Sequence, residues 1–305
     1  MTTRKTLRAL SVLLLSAPAV VPLRAEDTWS EPFQGVKYLH RTTAKPVKWD
    51  MHLAFIDLAA PGIRITSTKP EDRSLSTPQW AKKVNVQLAI NSGMGGWDQK
   101  QTPHIQRPSG PTMGDGVVWP DPRHTDFPHD LGSFMEGDGR IAFLDPFIPV
   151  KPEPWVKNLL AGGAILVKNG VANEKMTDLD RVNPRHPRTA IGATPDHKTL
   201  ILLVVDGRQK HSVGMTGKEM QKIFLEFKAG DAMNLDGGGS SCMYMEGKGV
   251  LNSPSDGQPR HVTNHLGIFA GPPRSAGNGG NPDPKPKAAP SGVGAAAVSI
   301  TNQGK

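Results

Sequence analysis

The chain has 305 residues, 37% of them hydrophobic, a formal net charge of +8 and a single cysteine. Most of the positive charge lies at the two ends: Arg4, Lys5, Arg8 and Arg24 precede the first acidic residue, and Arg274, Lys285, Lys287 and Lys305 face only Asp283. The body between is close to neutral, which argues against a nucleic-acid partner, since such a protein needs a basic stripe to neutralise phosphates. With Cys242 alone no intrachain disulfide can form, so a body of this length must be held by its own core.

At the N-terminus, three basic residues lead into an apolar run from Ala9 to Val21. That run is shorter than the ~20 residues a membrane span needs. With small residues at Ala17, Ala19 and Ala25 it reads as a secretory signal peptide over residues 1–25, and the protein is expected to be periplasmic or secreted with no stable membrane span. Two strands follow, from Trp49 to Leu58 and from Ile63 to Ser67, around a turn at Pro61-Gly62. A short helix from Pro78 to Val84 is expected with Thr77 as its N-cap, and a strand from Val86 to Ile90 runs into Asn91. From Gln99 to His129 the abundance of Pro, Gly, Asp and His predicts a long loop. Further strands are expected at Ile141 to Leu144 and Ala164 to Lys168, the latter closed by Asn169-Gly170.

The second half is more sharply patterned. Thr199 to Val205 is a continuous apolar run, the signature of a strand buried on both faces, and it ends at Asp206-Gly207-Arg208. Thr216 and Glu219 form a capping box. Met220, Ile223, Phe224 and Phe227 then mark one face of a helix ending near Gly230. A short strand carries Asn234-Leu235-Asp236 into Gly237-Gly238-Gly239-Ser240-Ser241. Asp206 and Asp236 thus stand at strand C-terminal ends and would share a rim if their strands lie side by side. The last segment, residues 272–305, is rich in Pro, Gly and Ala and has no aromatic residue, so disorder is expected there.

The chemistry gathers at the glycine-rich turn. Three glycines let the backbone approach a ligand and aim amides at an anion, with a carboxylate at the mouth. Asp236 is the first candidate for a catalytic carboxylate, with a turn-forming role as its bland alternative. Asp206 and Glu219 come second, since an Asp-Gly turn is the readier explanation of the former and the capping box of the latter. Arg188, Arg208 and Arg260 stand at strand ends and suit phosphate, although each alone would more often be a surface ion pair. The turn is not a P-loop, because no Gly-Lys-Ser/Thr follows, and Ser240 does not sit in a Gly-x-Ser-x-Gly elbow. His261 with His265, and the group His124, Asp126, His129 and Asp130, match no zinc spacing. No cofactor is expected, with a divalent metal left open and its ligands unassigned.

In order along the chain, Ala89-Ile90-Asn91-Ser92-Gly93, Gly162-Gly163, Pro187-Arg188-Thr189-Ala190-Ile191-Gly192, Val205-Asp206-Gly207-Arg208, Gly214-Met215-Thr216 with Glu219, Asn234 to Ser241, and Asn252-Ser253-Pro254-Ser255 through Arg260 to Asn264 resemble the phosphodiester glycosidase family. The resemblance implies a single α+β domain over residues 26–271, with mixed β-sheets flanked by helices. It implies a hydrolase that releases a sugar from a sugar-1-phosphodiester or a related envelope glycan, and bacterial members are associated with exopolysaccharide. Asp236, Asp206 and Glu219 would supply the carboxylates. Asn91, Arg188, Arg208, Asn234, Gly237, Gly238, Gly239, Ser240 and Arg260 would bind the carbohydrate or its phosphodiester. Two departures bear on the sugar pocket: Ser92-Gly93-Met94 replaces Gly-Gly with aromatics, and Cys242 replaces a Thr. A non-catalytic polysaccharide-binding protein and a metal-dependent phosphodiesterase are the rival readings.

Overall fold

The computed structural model describes residues 25–98, 105–120, 132–144, 152–176 and 182–272. The expected signal peptide and tail, apart from Ala25 and Pro272, and the group His124 to Asp130 lie outside the described residues. The largest sheet has eight strands in the spatial order Ala25–Phe33, Val36–Thr43, Trp49–Asp57, Thr199–Val205, Arg188–Ala193, Asp231–Asn234, Ile165–Lys168 and Val171–Ala172. A five-stranded sheet runs Gly249–Val250, Met243–Met245, Leu88–Asn91, His265–Phe269, Arg64–Ser67. A second runs Arg140–Leu144, Ser133–Gly137, Asn158–Ala161, Met113–Gly114, Val117–Val118, and a hairpin pairs Gly95–Asp98 with Ile105–Pro108. Part of the predicted Gln99–His129 loop is therefore strand.

The apolar run at Thr199–Val205 divides its side chains between two cores, as a strand buried on both faces must. Leu200, Leu202 and Val204 join Leu88, Ile90, Met243, Leu266, Phe134 and Leu160. Ile201, Leu203 and Val205 join Met220, Ile223 and Phe224 of the helix α2 (Gly217–Glu226; α1 is Thr77–Val84). On the far side of the Leu88 sheet, Trp80 and Ala81 of α1 pack on Ala89 and Tyr244. The order is helix, sheet, sheet, helix, and β-structure dominates.

Three expectations are corrected. The sheets are not mixed: every strand pair in the described residues is antiparallel. The strands that end at Asp206 and Asp236 do not lie side by side, because Arg188–Ala193 lies between them and runs opposite to both. The N-cap of α1 is Ser76 rather than Thr77, with the Ser76 amide donating to Gln79 Oε1 at 3.0 Å. The second capping box forms as expected: Glu219 N donates to Thr216 Oγ1 (3.3 Å) and Thr216 N to Glu219 Oε2 (3.0 Å).

Candidate active site

The intervening strand makes the rim richer than a simple pair would. Arg188 pairs with Val205, and Ala190 with Asn234, so the end of one strand, the start of the next and the end of the third open on the same side. Asp206, Arg188 and Asp236 belong to that rim.

The turn after Asn234 is held by backbone bonds from both sheets. Leu235 N donates to Thr189 O (2.8 Å), Asp236 N to Ser92 O (2.9 Å) and Gly238 N to Pro187 O (2.9 Å). Gly238 has φ +63, a left-handed conformation that favours glycine. Had it a Cβ, that atom would lie 3.2 Å from Arg208 Nη2. A Cβ on Gly239 would collide with the Arg260 guanidinium and the Asp256 carboxylate. The two arginines therefore flank the turn, Arg208 over Gly238 and Arg260 over Gly239. Arg260 Nε donates to Asp256 Oδ2 at 2.8 Å, and Arg208 Nη2 stands 3.3 Å from His186 Nδ1. Arg208, Asp256 and Arg260 are exposed.

Asp236 is partly buried at the mouth of this turn. Desolvation pushes its carboxyl up to about 6, against the opposing influence of the Ser240 hydroxyl, the Arg260 charge and the Gly237 amide. Such a group exchanges a proton near neutrality, as a general acid or base must. His186 is held below the usual imidazole range, first by desolvation and then by Arg208 and Arg188.

Several other predicted residues turn inward. Asn91 is fully buried; its Nδ2 donates to Asp236 O (2.6 Å), and its Oδ1 accepts from Thr189 Oγ1 (2.7 Å) and Cys242 N (3.0 Å). Arg188 is buried and donates to the carbonyls of Met215 (2.8 Å), Val182 (3.2 Å) and Pro184 (2.5 Å). Asn234 Nδ2 donates to Leu235 O at 2.8 Å. Asp206 is 1% exposed and accepts from Asn252 Nδ2 (3.0 Å) and Ser253 N (2.9 Å to Oδ2). Burial raises its pKa all the same. Glu219 caps α2 and receives both terminal nitrogens of Arg185 at 2.6 Å. These groups are engaged by protein partners, and the charged groups around the glycine turn are Asp236, Asp256, Arg208 and Arg260.

Asp256 adds a carboxylate beside the glycine turn that residue type alone does not single out. Its spacing of four from Arg260, on the Asp256-Gly257 turn, was the available signal. Asn252 and Asn264 are further braces: Asn264 Oδ1 accepts from Ser92 Oγ and Gly93 N, both at 2.6 Å, fixing the segment that receives Asp236 N. His265 is buried, stacked on Trp80 and bonded through Nδ1 to Thr68 Oγ1 (2.9 Å).

On one rim an antiparallel scaffold thus presents a glycine turn, a desolvated carboxylate and two flanking guanidiniums. The phosphodiester glycosidase profile matches residues 84–269, and the chain belongs to that family. An uncharacterised SPbeta prophage-derived protein of Bacillus subtilis (strain 168), YomE, is 33% identical over 203 residues, 62% of this chain; the match spans only 28% of that protein. Among solved structures, the catalytic domain of zebrafish N-acetylglucosamine-1-phosphodiester alpha-N-acetylglucosaminidase, auto-inhibited by its pro-peptide, superposes with a TM-score of 0.57. It is 18% identical and covers 83% of this chain and 85% of its own. A Burkholderia pseudomallei K96243 protein described as exported gives 0.61 at 13% identity, covering 86% of this chain and 100% of its own. At those identities the structures establish a shared fold.

Proposed function

We propose that the protein hydrolyses the glycosidic bond of a sugar-1-phosphodiester, or of a related envelope glycan, and that it acts outside the cytoplasm. The observation that carries this is the placement of Arg208 and Arg260 over consecutive glycines of the turn that bears Asp236. Two guanidiniums beside a close-approach backbone suit a phosphodiester oxygen pair, and a carboxyl poised near neutrality suits the adjacent C–O bond. Family membership supports the reaction class. The basic, apolar N-terminus and the fold shared with a protein described as exported support export. No helix among the described residues is long and apolar enough to cross a membrane.

In this reading Asp236 gives its proton to the bridging oxygen as the bond from that oxygen to the anomeric carbon breaks. Asp256, held by Arg260, takes a proton from the water whose oxygen bonds to that carbon. The products are the free sugar and a phosphate monoester. Asp206 and Glu219, both engaged by protein donors, act as braces rather than as the second carboxylate. The test is to incubate the protein with a sugar-1-phosphodiester and identify what is released. Free sugar supports the reading, sugar phosphate would mark a phosphodiesterase cutting P–O, and no release across a panel of sugars would leave a binding protein.

A further inference from the structure

We propose that Asp50, Asp206 and His211 form a site for a divalent transition-metal ion, distinct from the Asp236–Asp256 pair. Their ligand atoms lie within 4.8 Å of one another, with His211 Nε2 at 3.3 Å from Asp206 Oδ2 and 4.0 Å from Asp50 Oδ2. Those are long for hydrogen bonds, and an ion between the three atoms would draw them to ordinary coordination distance.

Charge is the stronger argument. The Asp206 side chain is 2% exposed and that of Asp50 22%, and among the described residues their ion-pair partners are histidines alone: His211 for both, with His40 and His52 also at Asp50. A buried carboxylate needs a counter-charge or a metal, and a second carboxylate beside it increases the need. Asp206 Oδ1 and Oδ2 also accept from Asn252 and Ser253, bonds that aim the carboxylate toward His211 and Asp50 without neutralising it.

The surroundings suit a metal ligand set. The other oxygen of Asp50 accepts from His40 Nε2 at 2.7 Å and faces His52 Nε2 at 3.5 Å, and His52 Nδ1 is fixed by the Tyr38 hydroxyl at 2.6 Å. Outer partners of this kind orient a coordinating carboxylate. His211 is 44% exposed, which leaves a route in and room for water on the ion. One imidazole with two carboxylates suits Zn²⁺ or Mn²⁺, whereas Ca²⁺ and Mg²⁺ favour oxygen-only shells.

The ion would also have a structural consequence. By fixing Asp206 it would fix Asn252 and Ser253, the start of the segment that carries Asp256 and Arg260 over the turn.

The test is isothermal titration of the full-length, tag-free, chelator-treated protein with Zn²⁺ and with Mn²⁺, beside His211→Ala and Asp50→Asn. Wild type is expected to take up one ion per chain, with affinity falling by at least about 100-fold in either variant. His211 is on the surface, so its variant is expected to fold, and circular dichroism checks this. No uptake by wild type, or uptake by His211→Ala at wild-type affinity, would overturn the site. Ion uptake is read without substrate, so failure of the site and failure of the proposed sugar release are distinguished.

Discussion

The Arg260 guanidinium lies so close to the backbone of Gly239 that a single added methyl group could not be accommodated without moving it. Gly239, unlike Gly238, does not have positive φ, so its glycine is required by contact rather than by backbone conformation. Gly239→Ala is therefore expected to fold normally while displacing Arg260 and Asp256. A misplacement of about 1 Å in a catalytic group can cost ~10²-fold in rate. Sugar-release kinetics should show a loss of that order in kcat/KM, with a melting temperature close to wild type. A variant as active as wild type would remove Arg260 and Asp256 from the site.

Asp236 supplies a prediction about pH that needs no substrate. Its folded-state pKa, near 6, lies above the ordinary value of 3.8. The folded state therefore holds the proton more tightly than the unfolded one. The resulting stability is fully present below about pH 4 and is lost as pH rises through about 6. Asp236→Asn removes that dependence, so its melting temperature relative to wild type should be higher at pH 7.5 than at pH 4. The same variant should release no sugar, and wild-type kcat should fall above pH 6 if the protonated form is the acid. An unchanged pH–stability difference would show that Asp236 is not desolvated.

Asn91 separates a brace from a binding residue. Its side chain holds Asp236 O, Thr189 Oγ1 and Cys242 N at once, all from other segments. Asn91→Ala would leave three polar groups short of a partner in a buried place. A cost of about 2–4 kcal/mol in denaturant unfolding follows. A substrate-binding Asn would instead leave stability unchanged and raise KM.

The sequence announced the parts that obey local rules. The Thr199–Val205 run showed its double burial because both its faces meet apolar partners, and the Thr216–Glu219 box is a purely local motif. The order of strands was not legible: that Arg188–Ala193 inserts between the strands of Asp206 and Asp236 depends on pairing across long sequence separations. The strands at Ala25–Phe33 and Val36–Thr43 were hidden for a related reason, since the first is largely exposed and carries little apolar alternation. Around the glycine turn, residue type alone could not show which way a side chain faces. Asn91, Arg188 and Asp206 have the chemistry of ligand contacts and spend it on protein groups.

Glu219 tests the same distinction from the other side. Its carboxylate receives Thr216 N at one end of the capping box and both Arg185 nitrogens at 2.6 Å. Those bonds tie it to Arg185 and to the start of α2. Glu219→Gln keeps an oxygen that can accept from Thr216 N but loses the charge facing Arg185. A destabilisation of about 1 kcal/mol is expected, the scale of a weakened cap and a partly exposed ion pair. Sugar release should stay within a few-fold of wild type, with an unshifted pH profile. A loss approaching that of Asp236→Asn would instead put Glu219 in the catalytic pair and return Asp256 to a structural role.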